Sequence, residues 1–187
     1  MVHRFYNARR GQLQDLAVQP NPAHVALTKW EEQNGGEFLL VTQNVDDLHE
    51  RAGSERLHHM HGSLLRKRCE FCGEESEERG DLTVESQCEK CGQSGGLRPA
   101  VVWFGENPEY MEEIFRVLDT CTLFLSIGTS GNVYPAAGFV DVANRAGART
   151  VEINLEASQV ASAFGEKIYG LASEIVPEFV ESCLAAQ

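Results

Sequence analysis

Three segments of the chain share one pattern, an apolar run of strand length that ends abruptly in small, polar or acidic residues. They are Phe38-Leu39-Leu40-Val41 before Thr42-Gln43-Asn44, Thr122 to Ile127 before Gly128-Thr129-Ser130-Gly131, and Thr150 to Ile153 before Asn154-Leu155-Glu156. Runs that are continuously apolar rather than alternating suit strands covered on both faces, as in a parallel sheet. Stretches with helical spacing separate them, over 23–33, 110–118, 136–146 and 175–185. Pro22 fits a first helical turn, Asn34-Gly35-Gly36 a helix stop, and Pro177 the first turn of the closing helix. In open α/β sheets ligands bind beyond the carboxyl ends of the strands, so the three polar loops are expected to line one site.

Composition narrows the partners. A chain of 187 residues can bury a core of its own, as one domain or one domain with a small insertion. With 16 Lys+Arg against 28 Asp+Glu the net charge is −12, which repels a phosphate backbone and an anionic lipid surface alike. Nucleic acid and membrane are therefore set aside, and a protein or peptide is the expected partner. No apolar run approaches the roughly 20 residues of a membrane span. The opening Met1 to Tyr6 lacks the apolar core of a signal peptide, so the expected location is the cytoplasm.

Between Cys69 and Cys91 the chain turns polar and acidic, and such a stretch cannot build an apolar core without a metal. Cys69-x-x-Cys72 and Cys88-x-x-Cys91, separated by 15 residues, let two tight turns each present two thiolates. Four sulfurs close a tetrahedral zinc site and leave no position for a water, so one structural zinc ion is expected. An iron–sulfur cluster or two disulfides would be less consistent with a cytosolic protein rich in acidic residues. Cys121 and Cys183 lie in apolar stretches, where a buried, inert thiol is the ordinary outcome.

The remaining chemistry is weaker when each residue is read alone. His61, beside Gly62, can act as a general base near neutral pH, although a lone histidine, like His58 or His59, is more often structural or exposed. Asn44 and Asp46 at a strand end would ordinarily form a turn. Gly128, Thr129 and Ser130 offer backbone donors to phosphate or ribose. Tyr6 and Arg9, three apart on one helical face, could bind a carboxylate by charge-assisted hydrogen bonds.

Taken in order, Thr42-Gln43-Asn44-Val45-Asp46-Asp47-Leu48-His49, Ala52-Gly53, His61-Gly62 and the four cysteines resemble the signature of the sirtuin family. Leu97-Arg98-Pro99, Val101 to Glu106, Gly128-Thr129-Ser130, Tyr134-Pro135 and Asn154-Leu155-Glu156 extend the resemblance over nearly the whole chain. It implies an α/β fold, a Rossmann-like parallel sheet with helices on both faces and a small zinc-ribbon insertion. The implied division is 1–36 for the helical part of a small domain, 37–66 with 97–187 for an NAD-binding domain, and 67–96 for the zinc module.

The resemblance also implies an NAD-dependent protein-lysine deacylase that moves the acyl group from lysine to ADP-ribose and releases nicotinamide. His61 and Asn44 take the catalytic roles, with His61 accepting a proton from the nicotinamide-ribose hydroxyl. Gln43, Asn44, Val45, Asp46, Gly128, Thr129, Ser130, Asn154, Leu155, Glu156 and Ala172 are implied to bind the cofactor. An acyl-lysine peptide is implied to pair as an added strand with Phe104, Gly105 and Glu106 on one side and Val133 and Tyr134 on the other, with Val101 and Trp103 lining the acyl-lysine tunnel. Tyr6 and Arg9 match the pair found in the subgroup that removes succinyl, malonyl and glutaryl groups, and Arg10 is a neighbour that could shift the match by one.

Sirtuins open with a strand, a Gly-Ala-Gly-x-Ser loop and a Phe-Arg cofactor loop that have no counterpart here. The expectation is a truncated sequence, a sheet without its first strand, and weak or no deacylase activity from this polypeptide alone. The rival readings are a silent module that binds ADP-ribose or acyl-peptide, and a zinc-dependent interaction domain.

Overall fold

The computed structural model describes residues 2–186. In chain order its regular elements are α1 (Val2–Leu13), α2 (Pro22–Gln33), β1 (Leu40–Thr42), α3 (Leu48–Ala52), β2 (Leu57–His59), β3 (Gly62–Cys69), β4 (Glu75–Glu77), β5 (Leu97–Val101), α4 (Met111–Leu118), β6 (Leu123–Ile127), α5 (Phe139–Arg145), β7 (Arg149–Asn154), β8 (Glu166–Tyr169) and α6 (Ala172–Ala185). They group into two compact units, one holding residues 2–19, 40–51 and 57–109, the other 20–39, 52–56 and 110–186.

In the first unit, β1 and β2 pair in parallel, Thr42 opposite His59. A second sheet, antiparallel in the order β4-β3-β5, carries the cysteine-rich segment. The pairing of β3 with β5 shifts register between Ser63 and Lys67, and Leu64 and Leu65 within that stretch are both buried. They pack with Leu13 of α1 and with Tyr6, Val18 and Val45. The guanidinium of Arg10 ties α1 to this unit, donating to the Leu64 carbonyl at 3.1 Å and the Gly80 carbonyl at 2.8 Å.

In the second unit, β6, β7 and β8 form a parallel sheet with β7 in the middle. Val151 and Ile153 on β7 are fully buried, as the continuous apolar run requires. Helix α2 begins as its sequence dictates: Asn21 accepts from the Ala23 and His24 amides, His24 accepts the Asn21 amide in return, and Pro22 occupies the first turn. Trp30 on α2 meets Phe179 on α6 edge-on at 6.0 Å.

Two helices depart from the sequence reading. The stretch 136–146 is a short 3₁₀ turn, Ala136–Gly138, followed by α5 rather than one continuous helix. The closing helix starts at Ala172, and the amides of Glu174 and Ile175 already donate to the Leu171 carbonyl. The first turn therefore closes upstream of Pro177, which lies inside the helix. No helix among the described residues is long and apolar enough to cross a membrane.

Candidate functional site

The metal centre is built by two turns of the same design. The Gly73 amide donates to the Cys69 carbonyl and the Gly92 amide to the Cys88 carbonyl, both at 2.8 Å. Each glycine has φ +72°, a conformation that a side chain would strain, so each pair of cysteines is followed by glycine. All four sulfurs lie within 4.8 Å of one another, with Cys69 Sγ 3.7 Å from Cys91 Sγ and Cys72 Sγ 3.8 Å from Cys88 Sγ. A disulfide needs about 2.05 Å. Tetrahedral zinc with Zn–S near 2.3 Å needs sulfurs about 3.8 Å apart, so the quartet fits that ion. Leu82 and Leu97 pack against the cysteines as the module's small apolar cluster. Cys121 and Cys183 are unpaired and half-buried, and burial pushes the Cys121 thiol up.

In the same unit, the turn after β1 gathers the residues the sequence singled out. Its shape is set locally: the Thr42 hydroxyl accepts the Asn44 amide at 3.1 Å, and Asp46 Oδ1 accepts the Leu48 amide at 3.1 Å to start α3. Val45 packs into the core and its carbonyl accepts the Leu64 amide, so it anchors the turn while the Asn44 side chain stays exposed.

His61 leaves β2 with Nδ1 3.2 Å from the Gln43 carbonyl. A carbonyl only accepts, so Nδ1 carries the proton and the neutral ring presents a lone pair at Nε2. Nε2 has no hydrogen-bond partner among the described residues. The Val102 amide donates to the His61 carbonyl at 2.9 Å and fixes the backbone. Gly62 follows with φ +76°, and a Cβ there would lie 2.1 Å from the Ala100 carbonyl oxygen. Only glycine lets β3 and β5 close beside the histidine.

The segment after β5 is held by one ion pair. Arg98 grips Glu106 with two bonds, 2.8 and 2.7 Å, and Glu106 also accepts the Trp103 amide at 2.8 Å. The Arg98 hydrogen bonds first, then the Trp103 amide, hold the Glu106 carboxyl below its ordinary range. Arg98 also lies 3.7 Å from the Trp103 ring centre. Trp103 Nε1 donates to the Tyr6 hydroxyl at 2.8 Å, which leaves the phenol's own proton available to an acceptor. Val101 is buried, whereas Phe104 is fully exposed beside Gly105. Arg9 is exposed, donates to Gln12 at 3.5 Å and lies 5.5 Å from the Phe5 ring centre, while the adjacent Arg10 is buried.

In the second unit, the loops after β6 and β7 are joined: Asn154 Nδ2 donates to the Thr129 carbonyl at 2.7 Å, and the Gly128 amide donates to the Ile153 carbonyl at 2.9 Å. Gly128, Ser130, Leu155 and Glu156 are exposed at this edge, and Val133 and Tyr134 are exposed further along the same segment. Ala172 opens α6.

Sequence reasoning gave no functional role to Arg98, Glu50 or His59. His59 Nδ1 lies 3.1 Å from the Asn44 carbonyl and its Nε2 2.7 Å from Glu50 Oε1. The available signal was the period-two spacing of His59 and His61.

With these sites described, likeness to known proteins becomes informative. The Sir2 family profile matches residues 1–135. A curated relative from Salmonella typhimurium (strain LT2), named NAD-dependent protein deacylase, is 56% identical over 184 residues, which is 98% of this chain and 67% of the relative. The fold resembles that of a Sir2 homologue solved with NAD, at TM-score 0.89 and 34% identity, covering 98% of this chain and 72% of the other. It also resembles a Sir2 protein solved with a myristoylated histone peptide, at TM-score 0.80 and 33% identity, covering 98% and 80%. A profile match over residues 1–135, joined to sequence and fold likeness over 98% of the chain, shows that the chain belongs to the Sir2, or sirtuin, family.

Proposed function

We propose that the chain supplies the catalytic base, the adenosine-side loops and the zinc module of an NAD-dependent protein-lysine deacylase that prefers acidic acyl chains. The observation that carries this reading is the His61 Nδ1 contact to the Gln43 carbonyl, which in the neutral ring leaves the lone pair on Nε2. The naming of its relative supports the activity, and the relative solved with an acylated peptide supports an acyl-lysine partner.

NAD, when bound, would supply an electrophilic ribose carbon and a ribose hydroxyl acceptor for the acyl group. The residues of this chain orient and deprotonate. Gln43 and Asn44 meet the nicotinamide ribose, Asp46 meets the nicotinamide carboxamide, and His61 Nε2 removes the proton of the attacking hydroxyl. Gly128, Thr129 and Ser130 offer small groups to phosphate or ribose, Asn154 and Glu156 hold the adenosine ribose, and Leu155 and Ala172 lie beside it. Residues 104–106 and, separately, 133–134 each offer exposed main chain with which an acyl-lysine peptide could pair. Tyr6 and Arg9 meet the acyl carboxylate, and Trp103 holds the phenol in place. The four cysteines hold zinc away from this chemistry, because four thiolates leave it no open position.

Incubation of a succinyl-lysine peptide with and without NAD, followed by mass spectrometry, tests the reading. Weak NAD-dependent loss of the succinyl group, abolished by His61→Tyr, is the expected result for this chain. Retained ADP-ribose binding without turnover in the unsubstituted chain would instead favour a silent binding module.

A further inference from the structure

We propose that His59 is a positioning residue, a cationic clamp that donates through both ring nitrogens and so holds the turn carrying Asn44 against strand β2. The inference rests on the proposed function only for the role of Asn44. The clamp itself follows from counting protons.

The Asn44 carbonyl can only accept, so His59 Nδ1 bears a hydrogen. The Glu50 carboxylate, when ionised, can also only accept, so Nε2 bears one too. A ring with two donors is an imidazolium. His61, two residues on, grips the neighbouring carbonyl of Gln43 through Nδ1 and has no carboxylate partner at Nε2 among the described residues. Alternate residues of one segment thus hold consecutive carbonyls of one turn, one ring with a carboxylate partner and one without.

The surroundings favour the charge on His59. Burial alone would lower its pKa, but the bond to Glu50, the bond to the Asn44 carbonyl and the negative charge of Asp46 raise it overall. Burial alone would likewise raise the Glu50 carboxyl, yet its bond to His59 and the nearby His49 help bring it down overall. Asp46 and Glu50 are the acidic groups facing the ring, His49 stands beside Glu50, and His61 lies two residues along.

The sign of the pH dependence follows. A raised histidine pKa makes the clamp complete below the ordinary histidine value and loses it as pH rises through the raised one. A lowered carboxyl pKa makes it complete above the ordinary glutamate value and loses it as pH falls through the lowered one. The turn is therefore held between these limits and released on the alkaline side when His59 gives up its proton.

Long-range ¹H–¹⁵N spectra of the histidine-labelled chain test the ionisation without needing turnover. Two protonated nitrogens on His59 at pH 7 are expected, against one, at Nδ1, on His61. A neutral His59 at that pH overturns the proposal. Hydrogen exchange at the amides of 44–46 should quicken about tenfold in His59→Gln, and an unchanged rate also overturns it. In kinetics, His59→Gln should lower kcat about tenfold with little change in the peptide KM, and remove the alkaline decline of kcat. Glu50→Gln should move that decline to lower pH. If no variant turns over, the spectra and exchange still decide the clamp while the deacylase reading fails separately.

Discussion

Replacing Arg9 and Arg10 by methionine, one at a time, asks which of two adjacent arginines meets an acidic acyl chain. Arg10 is 1% exposed and donates to the carbonyls of Leu64 and Gly80 at 3.1 and 2.8 Å and to Asn7 Oδ1 at 3.2 Å. Its removal strands two backbone carbonyls, each costing about 1–3 kcal/mol, so Arg10→Met should destabilise the fold by about 2–6 kcal/mol. For a chain of this size that is a fall in Tm on the order of 10 °C. Arg9 is exposed and its contacts are long, to Gln12 at 3.5 Å and over the Phe5 ring at 5.5 Å, so Arg9→Met should change stability by less than about 0.5 kcal/mol. What it loses is a charge-assisted contact to the acyl carboxylate worth about 1.5–3 kcal/mol, roughly a 10- to 150-fold drop in kcat/KM. The assay compares succinyl- and acetyl-lysine peptides of one sequence by mass spectrometry, with calorimetric affinity as a readout independent of turnover. Equal losses on both peptides for Arg9→Met, or an unshifted Tm for Arg10→Met, would refute the assignment.

Two further outcomes are expected. Purified protein should carry one zinc per chain, and a chelator or Cys69→Ser should open residues 70–96 to protease; metal-free protein with that segment still protected would contradict the closed tetrathiolate. Gly62→Ala forces a side chain into a positive φ and against the Ala100 carbonyl, costing at least about 1–3 kcal/mol, and a wild-type melting curve would show the contact to be unimportant.

The parts of the fold that could be read in advance are those in which one physical cause dominates. Apolar runs ending in polar loops marked β1, β6 and β7, the pattern that suits strands of a parallel sheet, although β6 is only half-buried along its length. Cysteine spacing marked the metal site, because two thiolates per turn require it. Strand β3 was hidden by its register shift, which buries Leu64 and Leu65 together and destroys alternation. Strand β5 was hidden by Pro99, which reads as a break but is tolerated because β5 has a neighbour only on its β3 side. Pro177 misled in the opposite direction, since the helix had already closed its first turn from Leu171.

The histidines show where sequence reasoning stops for a different reason. Leu57-His58-His59-Met60-His61 gives each imidazole the same chemistry, and nothing in the order of residues assigns a proton to any of them. Assignment comes from how many acceptors each ring meets. His61 meets the Gln43 carbonyl at 3.2 Å and keeps a lone pair, whereas His59 meets the Asn44 carbonyl and, through Glu50 on α3, a carboxylate at 2.7 Å. The second acceptor is brought by a residue nine positions away, so the difference between a base and a clamp is made by folding. Substituting Glu50 is thus the more informative change: it leaves both rings in place and alters only the acceptor that keeps His59 charged.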